Sequence, residues 1–108
     1  METAREIILS LENRFKPEEV NDDLDILFHF DISGPDGGQF SVQIDDDKCV
    51  VTEGLHGEPK CLVSCTDKVY ADLELGRTNA QMAFMTGKIK ISNIMGMMKF
   101  INCFEKLH

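Results

Sequence analysis

Leu24-Asp25-Ile26-Leu27-Phe28-His29-Phe30-Asp31-Ile32, the cluster Ser33-Gly34-Pro35-Asp36-Gly37-Gly38, and then Phe40, Val42 and Ile44 between polar residues form the stretch that decides the fold class. Apolar residues at every second position put one face of an extended chain into a core. The glycine-rich cluster between the two alternating runs is a hairpin turn. Its glycines therefore serve the turn and are not a phosphate cradle.

Downstream, Asp45-Asp46-Asp47 reads as a second tight turn, Cys49 to Glu53 as a third strand and Lys60 to Cys65 as a fourth, after a loop from Gly54 to Pro59. Short turns predict an antiparallel meander. Lys88-Ile89-Lys90-Ile91-Ser92 alternates again and reads as a fifth strand. Upstream, Thr3 with Glu6 is a capping box, and Ile7, Ile8, Leu11 and Phe15 form one helical stripe that Pro17 stops. Glu18 to Asp23 is an acidic connector with room for one helical turn. Thr66 caps a helix carrying Val69, Tyr70 and Leu73 that ends at Gly76; Asn79 to Thr86 is a second, closed by Gly87. A last helix is expected from Ser92 or Asn93 to about Leu107. The reading is one α+β domain over residues 1–108, in which helices cover a mainly antiparallel five-stranded sheet.

The chain has 108 residues, 11 basic against 19 acidic groups and a net charge of −8, which argues against a nucleic-acid partner. No apolar run is long enough to span a bilayer, and the charged N-terminus has no apolar block of the signal-peptide kind. An intracellular, cytoplasmic setting is the expectation. Four cysteines, Cys49, Cys61, Cys65 and Cys103, then read as reduced thiols buried like small apolar residues, because their spacing is not that of zinc ligands.

Catalytic readings lack parts. The histidines are His29, His56 and His108. His29 shares a strand face with Asp25 and Asp31, a possible acid–base cluster, but with no nucleophile, and such a face on a meander ordinarily meets water. Neither cofactor nor metal is called for.

The informative region is the last quarter. Nine of the fifteen residues from Asn93 to Leu107 are apolar (Ile94, Met95, Met97, Met98, Phe100, Ile101, Cys103, Phe104, Leu107), too many for one stripe against a sheet. Met82, Phe84 and Met85 add to the excess. Such a helix buries its excess in core, in a partner or against an apolar ligand, and unbranched methionine adapts to any of these. Charge is skewed as well: residues 1–86 carry 7 basic and 18 acidic groups, residues 87–108 carry 4 and 1.

The segments Asp72-Leu73-Glu74-Leu75-Gly76, Asn79-Ala80-Gln81-Met82-Ala83-Phe84-Met85-Thr86-Gly87-Lys88-Ile89-Lys90-Ile91, Met95-Gly96 and Lys99-Phe100 resemble the sterol carrier protein type 2 family, as do Phe28 to Gly34 and the hairpin after them. The resemblance runs from about Leu24 to Phe104. It implies an apolar tunnel between sheet and helices and a non-enzymatic role in binding or transferring fatty acids, acyl-CoA, sterols or phospholipids. By position it places Phe84, Met85, Met95, Met98, Ile101 and Phe104 in the tunnel wall, with Met82 and Val69 as second choices. Two departures stand out. Ser92 to Lys99 is about one residue shorter than in the family, so the last helix can present a rotated face, and Lys106-Leu107-His108 is not a peroxisomal tripeptide. Lys88, Lys90, Lys99 and Lys106 either form a positive lip for anionic headgroups or a membrane surface, or serve solubility. A monomer is expected. The rivals are an interaction or dimerisation module that docks through the last helix, and a thioesterase built on His29 and Asp31.

Overall fold

The computed structural model describes residues 3–20, 25–45 and 48–105; the Asp46-Asp47 turn, Leu24, Leu107 and the last tripeptide lie outside them. Helices α1 (Ala4–Leu9) and α2 (Leu11–Arg14) are followed by one 3-10 turn, Pro17–Glu19. Strands β1 (Asp25–Ser33), β2 (Gly38–Asp45), β3 (Lys48–Glu53) and β4 (Cys61–Thr66) come next. Helices α3 (Asp67–Glu74) and α4 (Ala80–Met85), strand β5 (Ile89–Ile91) and helix α5 (Ile94–Ile101) complete the order.

The expected caps are in place. Thr3 and Glu6 exchange both capping-box bonds, and Thr66, Asn79 and Asn93 accept from the first turns of α3, α4 and α5. Three of the four residues of the N-terminal stripe are buried, with Ile7 and Ile8 at 0% exposure and Leu11 at 2%, while Phe15 is half-buried. The single N-terminal helix expected from that stripe is two short ones that meet at Ser10. They stop at Arg14 because Phe15 turns extended and bridges to Phe104.

The sheet order is β3-β2-β1-β4-β5. The β1–β2 hairpin pairs Phe28 with Val42 and Phe30 with Phe40, so the two alternating runs share one buried face. The antiparallel meander is wrong at one join: β4 pairs with β1, and in parallel. Residues 54–60 carry the chain back across β2 and β1, a lateral step of about 14 Å at ordinary strand spacing. So short a connection suffices because of the register. β3 ends opposite Phe40, itself opposite Phe30, and β4 begins opposite Phe28, so the chain retreats only about 7 Å along the strands. A loop without a helix reads as a hairpin in sequence, whereas here it is a crossover.

This crossover also covers the sheet's outer face. The His29 ring Nε2 lies 2.8 Å from the His56 carbonyl oxygen. Ser41, paired directly with His29, donates to the Gly54 carbonyl at 2.7 Å and accepts from the His56 N–H at 2.8 Å. His29 and Ser41 are consequently 6% and 3% exposed. Water does not meet this part of the face, and it does hold a hydroxyl beside the histidine, contrary to the sequence reading. Both side chains are committed to holding the crossover.

The helices lie on the other face. Phe28 and Phe30 stack along β1, Phe100 of α5 sits 4.2 Å from the Phe28 ring, and Tyr70 of α3 meets Phe30 edge-on at 5.8 Å. Gly96 lets α5 approach closely, since a Cβ there would stand 3.0 Å from the Ile26 side chain. Helix α5 ends at Ile101, earlier than the apolar pattern suggests. The Phe104 ring is 5.6 Å from that of Phe15, and the Cys103 carbonyl accepts from Lys16 N–H at 2.7 Å while Glu105 N–H donates to the Arg14 carbonyl at 2.8 Å. Leaving the helix lets this segment pair with residues 14–16.

Candidate functional site

Between α5, α3, β5 and the segment after α5 lies a cavity of about 280 Å³. Its apolar wall is built by Leu11, Leu73, Ile89, Ile91, Met97, Phe100, Ile101 and Phe104, with Ala80 from the start of α4. The exposed lining residues Ala80, Ile101, Asn102 and Glu105 mark where it meets solvent. Helix α3 contributes because Thr66 fixes its start and Tyr70 and Leu73 then share a face. Strand β5 contributes through Ile89 and Ile91, its core-side positions opposite Cys65 and Val63.

One side of the wall is polar. Arg14 is only 8% exposed, and each of its guanidinium nitrogens is engaged. Nε donates to Ser10 Oγ at 2.9 Å, Nη1 to the Glu105 carbonyl at 2.9 Å, and Nη2 to the Ile7 carbonyl at 3.2 Å and to Glu74 Oε2 at 3.1 Å. The Tyr70 hydroxyl donates to the same carboxylate oxygen at 3.1 Å. Burial, and then the Glu74 charge, push the Tyr70 phenol well above its usual 10.0, so it stays a neutral donor. The cluster matches charge with charge inside the wall, and the remaining surface offers a ligand mainly hydrocarbon.

Of the eight residues singled out from the sequence, Ile101 and Phe104 line this cavity. Val69 is half-buried and packed against the core from α3. The other five are on the surface: Met82 is 60% exposed, Phe84 42%, Met85 73%, Met95 68% and Met98 56%. Helix α5 is apolar on two sides. Gly96 and Phe100 with Met97 face inward, while Ile94, Met95, Met98 and Ile101 form an outer stripe. The sequence reading missed Met97, Phe100, Leu73, Tyr70 and the Arg14–Glu74 pair. For α5 the signal was present, since Gly96, Phe100 and Cys103 recur at helical spacing and a mid-helix glycine marks the close-packed side.

The four cysteines are free, and Cys61, Cys65 and Cys103 are buried. Burial raises the Cys49 and Cys65 thiols to about 12, assisted by the nearby charges of Glu12 and Asp67 respectively. Among the described residues, no group of three or more His, Cys, Asp or Glu is arranged to hold a metal ion. No helix among them is long and apolar enough to cross a membrane.

Comparison with known proteins fits this architecture. The sterol carrier protein domain 2 of Helicoverpa armigera superposes with a TM-score of 0.65 at 27% identity, over 94% of this chain and 85% of that one. Palmitated sterol carrier protein 2 like 2 from Aedes aegypti gives 0.66 at 18% identity, over 98% and 99%. The stereoselective inverting sec-alkylsulfatase from Pseudomonas sp. gives 0.80 at 9% identity and shares the fold over 96% of this chain; the chain spans only 16% of that enzyme's length. A search of the curated proteins finds no match. The model of the SCP-2 sterol transfer family matches residues 10–105. With nearly the whole described chain inside that match, the protein belongs to the SCP-2 sterol transfer family, whose members bind and transfer lipids.

Proposed function

We propose that the protein is a non-enzymatic carrier of a single acyl chain, as free fatty acid or fatty acyl-CoA, held in the cavity under α5. The apolar cavity of about 280 Å³ is the observation that carries this reading. At about 30 Å³ per water-sized group the cavity takes roughly nine methylenes. Burying them contributes on the order of 7 kcal/mol before association costs. A longer chain leaves by the mouth at Ile101 and continues along Met98, its neighbour on the outer stripe. The fused rings of a sterol suit this volume less well than one flexible chain.

The thioesterase reading has less support. His29 and Asp31 lie on the sheet face opposite the one the helices cover, and His29 is bonded to the crossover loop. The purified chain is expected to carry co-purified acyl lipid in native mass spectrometry and to bind a fluorescent fatty acid. A chain that is empty in every preparation and ignores the probe would overturn the proposal.

A further inference from the structure

Residues 78–104, which hold α4, β5 and α5, contain Lys88, Lys90 and Lys99 and not one Asp or Glu, in a chain with 19 acidic residues. The same elements carry most of the exposed apolar bulk of the described residues, including Met82, Met85, Met95 and Met98; elsewhere it is scattered at Leu9, Val50, Leu55 and Leu62. The fold gathers these features together. β5 is an edge strand, α4 packs on it, and α4 and α5 both reach the cavity through Ala80 and Ile101. All three lysines are exposed.

We propose that this face docks on an anionic lipid bilayer, its methionines in the boundary between headgroups and acyl chains and its lysines against the headgroups. The cavity mouth at Ile101 then faces the membrane, which gives the acyl-carrier reading, on which this last point rests, a route for its ligand. Exposed apolar side chains beside lysines are what an interfacial surface needs, and flexible methionine suits a disordered boundary. Anionic headgroups neutralise the three lysines, whereas a two-fold pairing of this face with a second copy sets lysine against lysine. The acidic remainder of the surface is repelled, which orients the approach. Helix α1 is no rival anchor, because Ile7 and Ile8 are already fully buried.

Flotation with vesicles tests this, using phosphatidylcholine alone and phosphatidylcholine with one-third phosphatidylserine. The full chain is expected to float with the anionic vesicles at low salt and to be released at high salt. Each lysine contributes about fivefold to partitioning, so Lys88→Glu with Lys90→Glu lowers it by roughly twentyfold or more. Met95→Asp with Met98→Asp abolishes flotation, and Val50→Asp on β3, at the opposite edge of the sheet, leaves it unchanged; circular dichroism checks that each variant is folded. No flotation, equal flotation with neutral vesicles, or equal loss in Val50→Asp would overturn the proposal. So would a stable dimer in light scattering that Met95→Asp dissolves. Fatty-acid uptake measured without vesicles separates the two readings: uptake without flotation overturns docking alone, and flotation without uptake overturns the carrier alone.

Discussion

The Arg14 guanidinium meets the Glu74 carboxylate at 3.1 Å, and through this contact α2 is tied to α3 across the polar side of the cavity. The same side chain holds the carbonyls of Ile7 and Glu105, so one residue joins three parts of the chain. Removing one partner of a buried pair costs far more than the pair contributes net. Arg14→Ala is therefore expected to cost about 3–5 kcal/mol in urea denaturation. Arg14→Met with Glu74→Leu is expected to cost less than Arg14→Ala alone, and a larger loss in the double variant would refute this account.

Tyr70 sets an alkaline limit. Its folded pKa lies well above the 10.0 of the unfolded chain, so the native state keeps a proton that the unfolded state has lost. The group leaves stability unchanged below about pH 10; above it, stability falls by about 1.4 kcal/mol per unit until the folded pKa is reached. As the chain's single tyrosine, it reports this directly. Phenolate absorbance is expected to rise together with unfolding rather than ahead of it.

The thiols are shielded by the same physics. With Cys49 and Cys65 at about 12, each holds about a thousandfold less thiolate at pH 8 than an ordinary thiol at 9.0. Ellman's reagent is expected to react slowly at these two positions in the native protein and rapidly in denaturant. Fast native labelling of Cys65 would contradict its placement.

Helix α5 has two apolar sides with different roles. Phe100, 2% exposed, touches Phe28, Phe30 and Phe104, and Phe100→Ala is expected to cost about 3–5 kcal/mol. Met98→Ala on the outer stripe is expected to change stability by less than about 0.5 kcal/mol. Similar costs at the two positions would mean that the helix is rotated from the orientation described.

Ile101 stands at the mouth, half in the cavity wall and 51% exposed. The chain has no tryptophan, so Ile101→Trp introduces a single reporter. Its emission is expected to shift to the blue when a fatty acid enters. An unmoved spectrum at saturating probe would remove Ile101 from the binding route.

Much of this architecture is legible in the chain because local rules decide it. The β1–β2 alternation fixes which face is buried, and Thr3, Thr66, Asn79 and Asn93 mark helix starts by the hydrogen bonds their side chains can make. Three features resist such reading, each because a distant partner decides it. Residues 54–60 have the composition of any loop, and only the parallel pairing of β4 with β1 makes them a crossover. The end of α5 is hidden because Phe104 continues the helical apolar pattern, although its partner is Phe15. The cavity wall is ambiguous because α5 is apolar on both sides, so periodicity identifies the excess without saying which side faces in.

The pairing of residues 14–16 with the segment after α5 also bears on time. Arg14 and Glu105 are 91 positions apart, so this contact closes nearly the whole chain and gains nothing until most of the fold exists. The wall formed by Phe104 and Glu105 is thus expected to form late and to reopen first, with the amide protons of Lys16 and Glu105 exchanging well before those of β1. A chain with this order of assembly leaves the cavity under α5 without one of its walls until the segment after α5 docks on residues 14–16.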